Sequence, residues 1–116
     1  MKVALVGSRK FNDIKRMLDN IPPETSEIVS GGANGADSVA EDCARVLGIP
    51  KKIFLPKFKT DPSVKYHVSH FHVRNRQIVE YADIVIAFMP HGGSRGTQST
   101  INHAKKTGKP FRVICF

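Results

Sequence analysis

Short apolar runs alternate along this chain with longer segments of helical period. The runs KVALV, EIVS, KIFLP, ADIVIAF and FRVICF recur at regular spacing, are rich in Val, Ile and Phe, and are bounded by Gly or Pro. Continuous apolar runs of this kind are what strands covered on both faces of a parallel sheet require. The four segments between them read as helices, giving the order βαβαβαβαβ. The predicted architecture is one α/β domain over residues 1–116. It is a three-layer α/β/α sandwich around a five-stranded parallel sheet, with the expected strand order 3-2-1-4-5.

The second helical segment has the clearest stripe. Ala36, Val39, Ala40, Cys43, Ala44 and Leu47 fall at helical spacing on one face. Gly48 then supplies a left-handed cap and Pro50 blocks continuation; Gly108 and Pro110 end the last helix in the same way. The first helix is predicted to start near Asn12 or Asp13, to bury Ile14, Met17 and Leu18, and to stop before Pro22. In the third helix the inward face runs Phe71, Arg74 or Asn75, Ile78, Val79 and Ala82, so a polar pair interrupts an apolar stripe. Two readings fit: Asn75 as a satisfied core amide with Arg74 reaching water, or both residues facing a ligand.

Composition narrows the class of partner. The formal net charge is +8, from 18 Lys and Arg against 10 Asp and Glu, which favours anionic partners. No stretch approaches the length of a membrane span, and the apolar MKVALV segment is too short for a signal peptide, so a cytoplasmic location and no membrane partner are expected. Cys43 and Cys115 both fall at positions suited to small buried hydrophobes rather than to a disulfide. His67, His70 and His72 crowd one segment, but their spacing matches no closed zinc site and no metal is expected. His91 adjoins the Gly92–Gly93 pair and is read either as a ligand contact or, as loop histidines ordinarily are, as facing water.

In an open parallel sheet, ligands bind beyond the carboxyl ends of the strands, where strand order reverses. The order 3-2-1-4-5 would bring together GSRKF after strand one, GGANGAD after strand two and MPHGGSRGT after strand four. Glycines let backbone N–H groups approach an anion closely, and helix N-termini add unpaired donors. The candidate ligand residues are therefore Gly7, Ser8 and Arg9; Gly31, Gly32, Ala33, Asn34, Gly35 and Asp37; Arg74 and Asn75; and Gly92, Gly93, Ser94, Arg95, Gly96 and Thr97. Arg9, Arg74 and Arg95 suit phosphate or carboxylate through bidentate pairing. Asp37 would either complement the helix dipole or accept ribose hydroxyls. Neither G-x-G-x-x-G nor a Walker-type loop occurs, which disfavours a conventional dehydrogenase or NTPase. Phe58 and Tyr66 stand apart from the predicted core, in the lysine-rich segment from Lys57 to Lys65; this is read either as an exposed basic loop or as a flap contacting a ligand or a DNA strand.

Taken together, GSR, SGGANGAD, RNRQIVEYAD and GGSRGT resemble the SLOG superfamily of Rossmann-like proteins over nearly the whole chain, and within it the small YspA-type branch. The resemblance implies a nucleotide, ADP-ribose or NAD-related ligand over the glycine loops, with no cofactor required. The expected function is therefore a sensor, carrier or sequestering module for such a ligand, with a homo-oligomer compatible with it. Two related groups supply alternatives. DprA proteins carry a similar glycine segment and an RN helix and bind single-stranded DNA. Lonely Guy phosphoribohydrolases carry a PGGxGTxxE-like segment and cleave an N-glycosidic bond. In this chain Ser99 or Thr100 takes the place of their catalytic glutamate, and no carboxylate follows Asp83. Hydrolysis would have to fall to Asp37 or Glu41, for which the pattern offers weak support.

Overall fold

Alternation within β1 (Lys2–Gly7) sets the layers: Val3 and Leu5 point to one face of the sheet, Ala4 and Val6 to the other. The computed structural model describes residues 1–116. The remaining strands are β2 (Glu27–Ser30), β3 (Lys51–Ile53), β4 (Ile84–Met89) and β5 (Phe111–Cys115). All pair in parallel in the order β3-β2-β1-β4-β5, as the sequence predicts. The helices are α1 (Ile14–Asp19), α2 (Ala36–Leu47), the one-turn α3 (Lys57–Thr60), α4 (Ser69–Tyr81) and α5 (Arg95–Thr107).

One core joins Val3, Leu5, Ile28, Ile86 and Phe88 to Phe11, Met17 and the small stripe of α2. The other joins Ala4, Val6, Val29, Val85, Ala87 and Met89 to Ile78 and Val79 of α4 and Ile101 and Ala104 of α5. Central strands buried on both faces explain the unbroken apolar runs. Gly7 sits where β1, β4 and α2 meet: an added Cβ would lie 2.6 Å from the Phe88 carbonyl and 2.9 Å from the Ala36 methyl. That closeness lets the start of α2 press onto the sheet edge.

Several expectations need correction. The edge strands are only partly covered, so β3 exposes Lys51 and Lys52, and Cys115 on β5 is exposed rather than buried. Leu47 is 46% and Ile14 38% exposed, so neither is covered as its helical stripe predicts. Asp13, not Asn12, caps α1, its carboxylate accepting the Arg16 amide at 3.0 Å. The segment after β3 is not a plain loop but contains α3, entered through the buried Pro56. No helix is long and apolar enough to cross a membrane.

Candidate functional site

The loops following β1, β2 and β4 converge on a cleft of about 870 Å³ at the carboxyl edge of the sheet. All the predicted ligand residues line it except Gly32 and Gly35. Both exceptions have positive φ, +70° and +74°, and both face protein. Gly32 lies against Leu55 and Ile53, and Gly35 against the Arg9 backbone, so they shape the loop from behind. Gly93 also has positive φ (+84°), but it faces open space, as do Gly92 and Gly96.

The two helix N-termini differ. On α2 the cap is Gly35, with no side-chain bond, and the Ala36 amide is already taken by the Ser8 carbonyl at 3.1 Å. The Ser8 hydroxyl in turn accepts the Lys10 amide at 3.1 Å, so the GSR turn is held largely by its own bonds. On α5 the cap is Ser94, which accepts the Thr97 hydroxyl at 3.1 Å and the Thr97 amide at 3.4 Å. The amides of Arg95 and Gly96, in the first turn, have no partner inside the helix and stand at the positive end of its dipole. Two first-turn amides of α2, those of Asp37 and Ser38, are likewise without a helical partner. That turn carries the Asp37 carboxylate, however, and the first turn of α5 carries no acid, so the α5 end is the better prepared anion site.

Arg74 resolves the polar interruption in α4. It is buried, and its Nη1 donates to the Gly31 carbonyl at 2.5 Å while Nε donates to Asn75 Oδ1 at 2.9 Å. It therefore does not reach out to water; it forms part of the cleft wall. Asp37 stands on the other side of Gly31, with Oδ2 accepting the Ala33 amide at 3.2 Å. No direct ion pair joins Arg74 and Asp37. Burial pushes the Asp37 carboxyl up from its ordinary pKa, opposed by the Ala33 amide and the Arg74 charge. Burial also lowers the Arg74 pKa, with Asp37 opposing and Arg9 reinforcing that shift.

Asp37 is the one carboxylate lining the cleft, and it is engaged in holding the glycine loop. Glu41, the other acidic candidate, lies off the cleft and pairs with Lys51 at 3.1 Å. Against Asp37 the cleft presents Arg9, Lys10, Lys59, Arg74 and Arg95. Lys10, Lys59, Phe71 and His72 were not among the predicted ligand residues. Lys59 belongs to the lysine-rich segment and Phe71 to the predicted inward face of its helix, so both carried a signal; His72, held to Ser99 Oγ at 3.2 Å across α4 and α5, carried none. His67 bonds locally to Ser69, and His91 is exposed outside the cleft. No group of three or more His, Cys, Asp or Glu side chains is placed to hold a metal.

A parallel sheet of order 3-2-1-4-5, with a cleft at its switch point floored by glycine turns, defines a Rossmann-like α/β/α domain. The same fold occurs in DNA processing protein A (DprA) from Streptococcus pneumoniae, at 22% identity and a TM-score of 0.76 over 97% of this chain and 49% of that one. It occurs again in DprA from Helicobacter pylori, studied for its unique single-stranded DNA binding mode, at 23% identity and a TM-score of 0.76 over 97% of this chain and 64% of that one. The chain thus spans less than two thirds of either DprA chain. No family model and no curated protein matches it.

Proposed function

We propose that this chain is a single-stranded nucleic-acid-binding domain that seats backbone phosphates on the glycine loops of the carboxyl-edge cleft. One observation carries the reading: five Lys and Arg side chains line an open cleft whose single carboxylate is already engaged. Such a surface attracts a chain of phosphates, with the free amides of α5 offering a fixed point for one of them. The net charge of +8 and the likeness to the H. pylori DprA domain support it. The GSR, SGGANGAD and GGSRGT motifs favour the YspA-type branch of the SLOG superfamily for this chain.

A second reading, a free nucleotide-derived ligand such as ADP-ribose or an NAD-like molecule, is favoured by cleft size. About 870 Å³ falls within the range of small-molecule sites. Ribosyl-bond hydrolysis draws no support from the site, because Asp37 is committed to the loop and Glu41 lies outside. Fluorescence anisotropy with a labelled oligothymidylate over a salt series separates the two binding readings. Strand binding requires affinity that falls steeply as salt rises, with a slope near −0.7 per phosphate contacted. Failure of the oligonucleotide to bind at low salt, with ADP-ribose raising the melting temperature, would overturn it in favour of the small ligand.

A further inference from the structure

Beyond the phosphate cleft the chain carries an aromatic cluster that neither hydrophobic core absorbs. Phe58 of α3 meets Tyr66 edge-on at 5.1 Å between ring centroids and Phe71 of α4 at 5.5 Å. Tyr66 approaches Phe71 at 6.0 Å, and the His70 ring lies stacked on Phe58 at 5.8 Å. None of these side chains belongs to either core. Were the cluster only a small core pinning α3 to α4, its members would be covered. Tyr66 is instead 65% exposed.

Its position matters as much as its exposure. Phe71 belongs both to this cluster and to the cleft wall, and the Arg74 guanidinium lies 5.7 Å from its ring centroid. A continuous path therefore runs from the cleft-lining Arg74, over Phe71, to Phe58 and Tyr66. Lys57, Lys59 and Lys65 stand exposed along the same segment. The acidic residue within it, Asp61, is turned onto its own loop, accepting the Ser63 hydroxyl at 2.7 Å and amide at 3.0 Å. Flat rings interleaved with free lysines, continuous with a phosphate site, suit a base and its backbone.

We infer that the Phe58–Tyr66–Phe71 shelf is a base-stacking site, with Tyr66 as its exposed platform, which makes the cleft select unpaired strands over duplex. The inference rests on the strand-binding reading above. Bases in a duplex are already stacked on each other, so only an unpaired base has a face to offer the shelf.

The test compares an oligothymidylate of about 12 nucleotides, an abasic strand of equal length and a matching duplex, all at low salt. The oligothymidylate should bind the wild type roughly 5- to 100-fold more tightly than the abasic strand. Tyr66→Ala should remove that advantage without changing abasic binding, and Tyr66→Phe should restore it. Arg95→Ala, on the phosphate side, should weaken both strands alike. The chain has two tyrosines and no tryptophan, so in a Tyr81→Phe background Tyr66 becomes the sole tyrosine emitter. Oligothymidylate should quench that emission and the abasic strand should not, which reports stacking even if Tyr66→Ala misfolds. Equal affinity for the two strands, or an unquenched Tyr66, overturns the shelf while strand binding itself stands. Binding of neither strand by the wild type overturns both.

Discussion

Adding a methyl group at Gly31 and adding one at Gly96 probe different properties of the cleft. A Cβ on Gly31 would fall 2.5 Å from Arg74 Nη1 and 2.9 Å from Asp37 Oδ2, between two side chains that are themselves fixed. Gly31→Ala should therefore dislodge Arg74 and cost roughly 1–3 kcal/mol, as overpacking does, read from the urea midpoint at constant slope. Gly96 has nothing within 4 Å of such a Cβ and no positive φ. It lies in the first turn of α5, and in a helix interior Gly costs roughly 0.5–1 kcal/mol relative to Ala, an upper bound for this position. Gly96→Ala should then stabilise the fold by up to about that amount. Helical Cβ atoms tilt toward the N-terminus, so the same methyl would intrude where an anion approaches the free amides, and oligonucleotide affinity should fall. A stabilised variant that binds as before would place the phosphate elsewhere.

Among the elements, legibility followed the strength of each amphipathic pattern. The stripe of α2 and the apolar runs of β1, β2 and β4 specify buried faces without ambiguity, because nothing else in the chain competes for those positions. Ile14 and Leu47 were misread since periodicity reports the direction a side chain faces, not whether anything on that side covers it. The two differ energetically from a residue under the sheet. Met17→Ala, at a fully buried position in the α1–α2 core, should cost about 2–5 kcal/mol, while Leu47→Gln should stay within about 0.5 kcal/mol; thermal or urea unfolding of both variants checks the contrast. The glycine loops were legible as a group, because three of them follow strands that a 3-2-1-4-5 order brings together. The division of labour among them was not. That Gly32 and Gly35 back onto protein while Gly92, Gly93 and Gly96 face the cleft depends on where Leu55 and the Arg9 backbone pass, which local sequence does not encode. The folding of Lys57–Thr60 into a turn of helix under an aromatic cluster escaped for the same reason.

Across the molecule as a whole, two carboxylates respond to their surroundings in opposite directions, and that opposition can be measured. Asp83, exposed at the turn before β4, accepts the Lys2 amide at 2.7 Å and so ties the start of β1 to a residue 81 positions away. That bond chiefly, aided by the N-terminus, Lys2 and Lys109, holds its pKa below the usual 3.8. Asp37, by contrast, is held above 3.8, chiefly by burial. Linkage fixes the signs. An acid whose folded pKa is lowered contributes stability that is present above its unfolded pKa and is lost as pH falls through the folded value. An acid whose folded pKa is raised does the reverse, being most favourable when protonated and least so once pH has risen past its folded value. The stability gap between wild type and Asp83→Asn should accordingly be largest near neutrality and close in acid. The gap between wild type and Asp37→Asn should move in the wild type's favour as pH falls from above the raised pKa toward 3.8. Urea unfolding of the three proteins across that window reads both. Curves of the same sign would mean that Asp37 is hydrated rather than enclosed, and the picture of a cleft whose one acidic group is sequestered beneath its cations would fail with it.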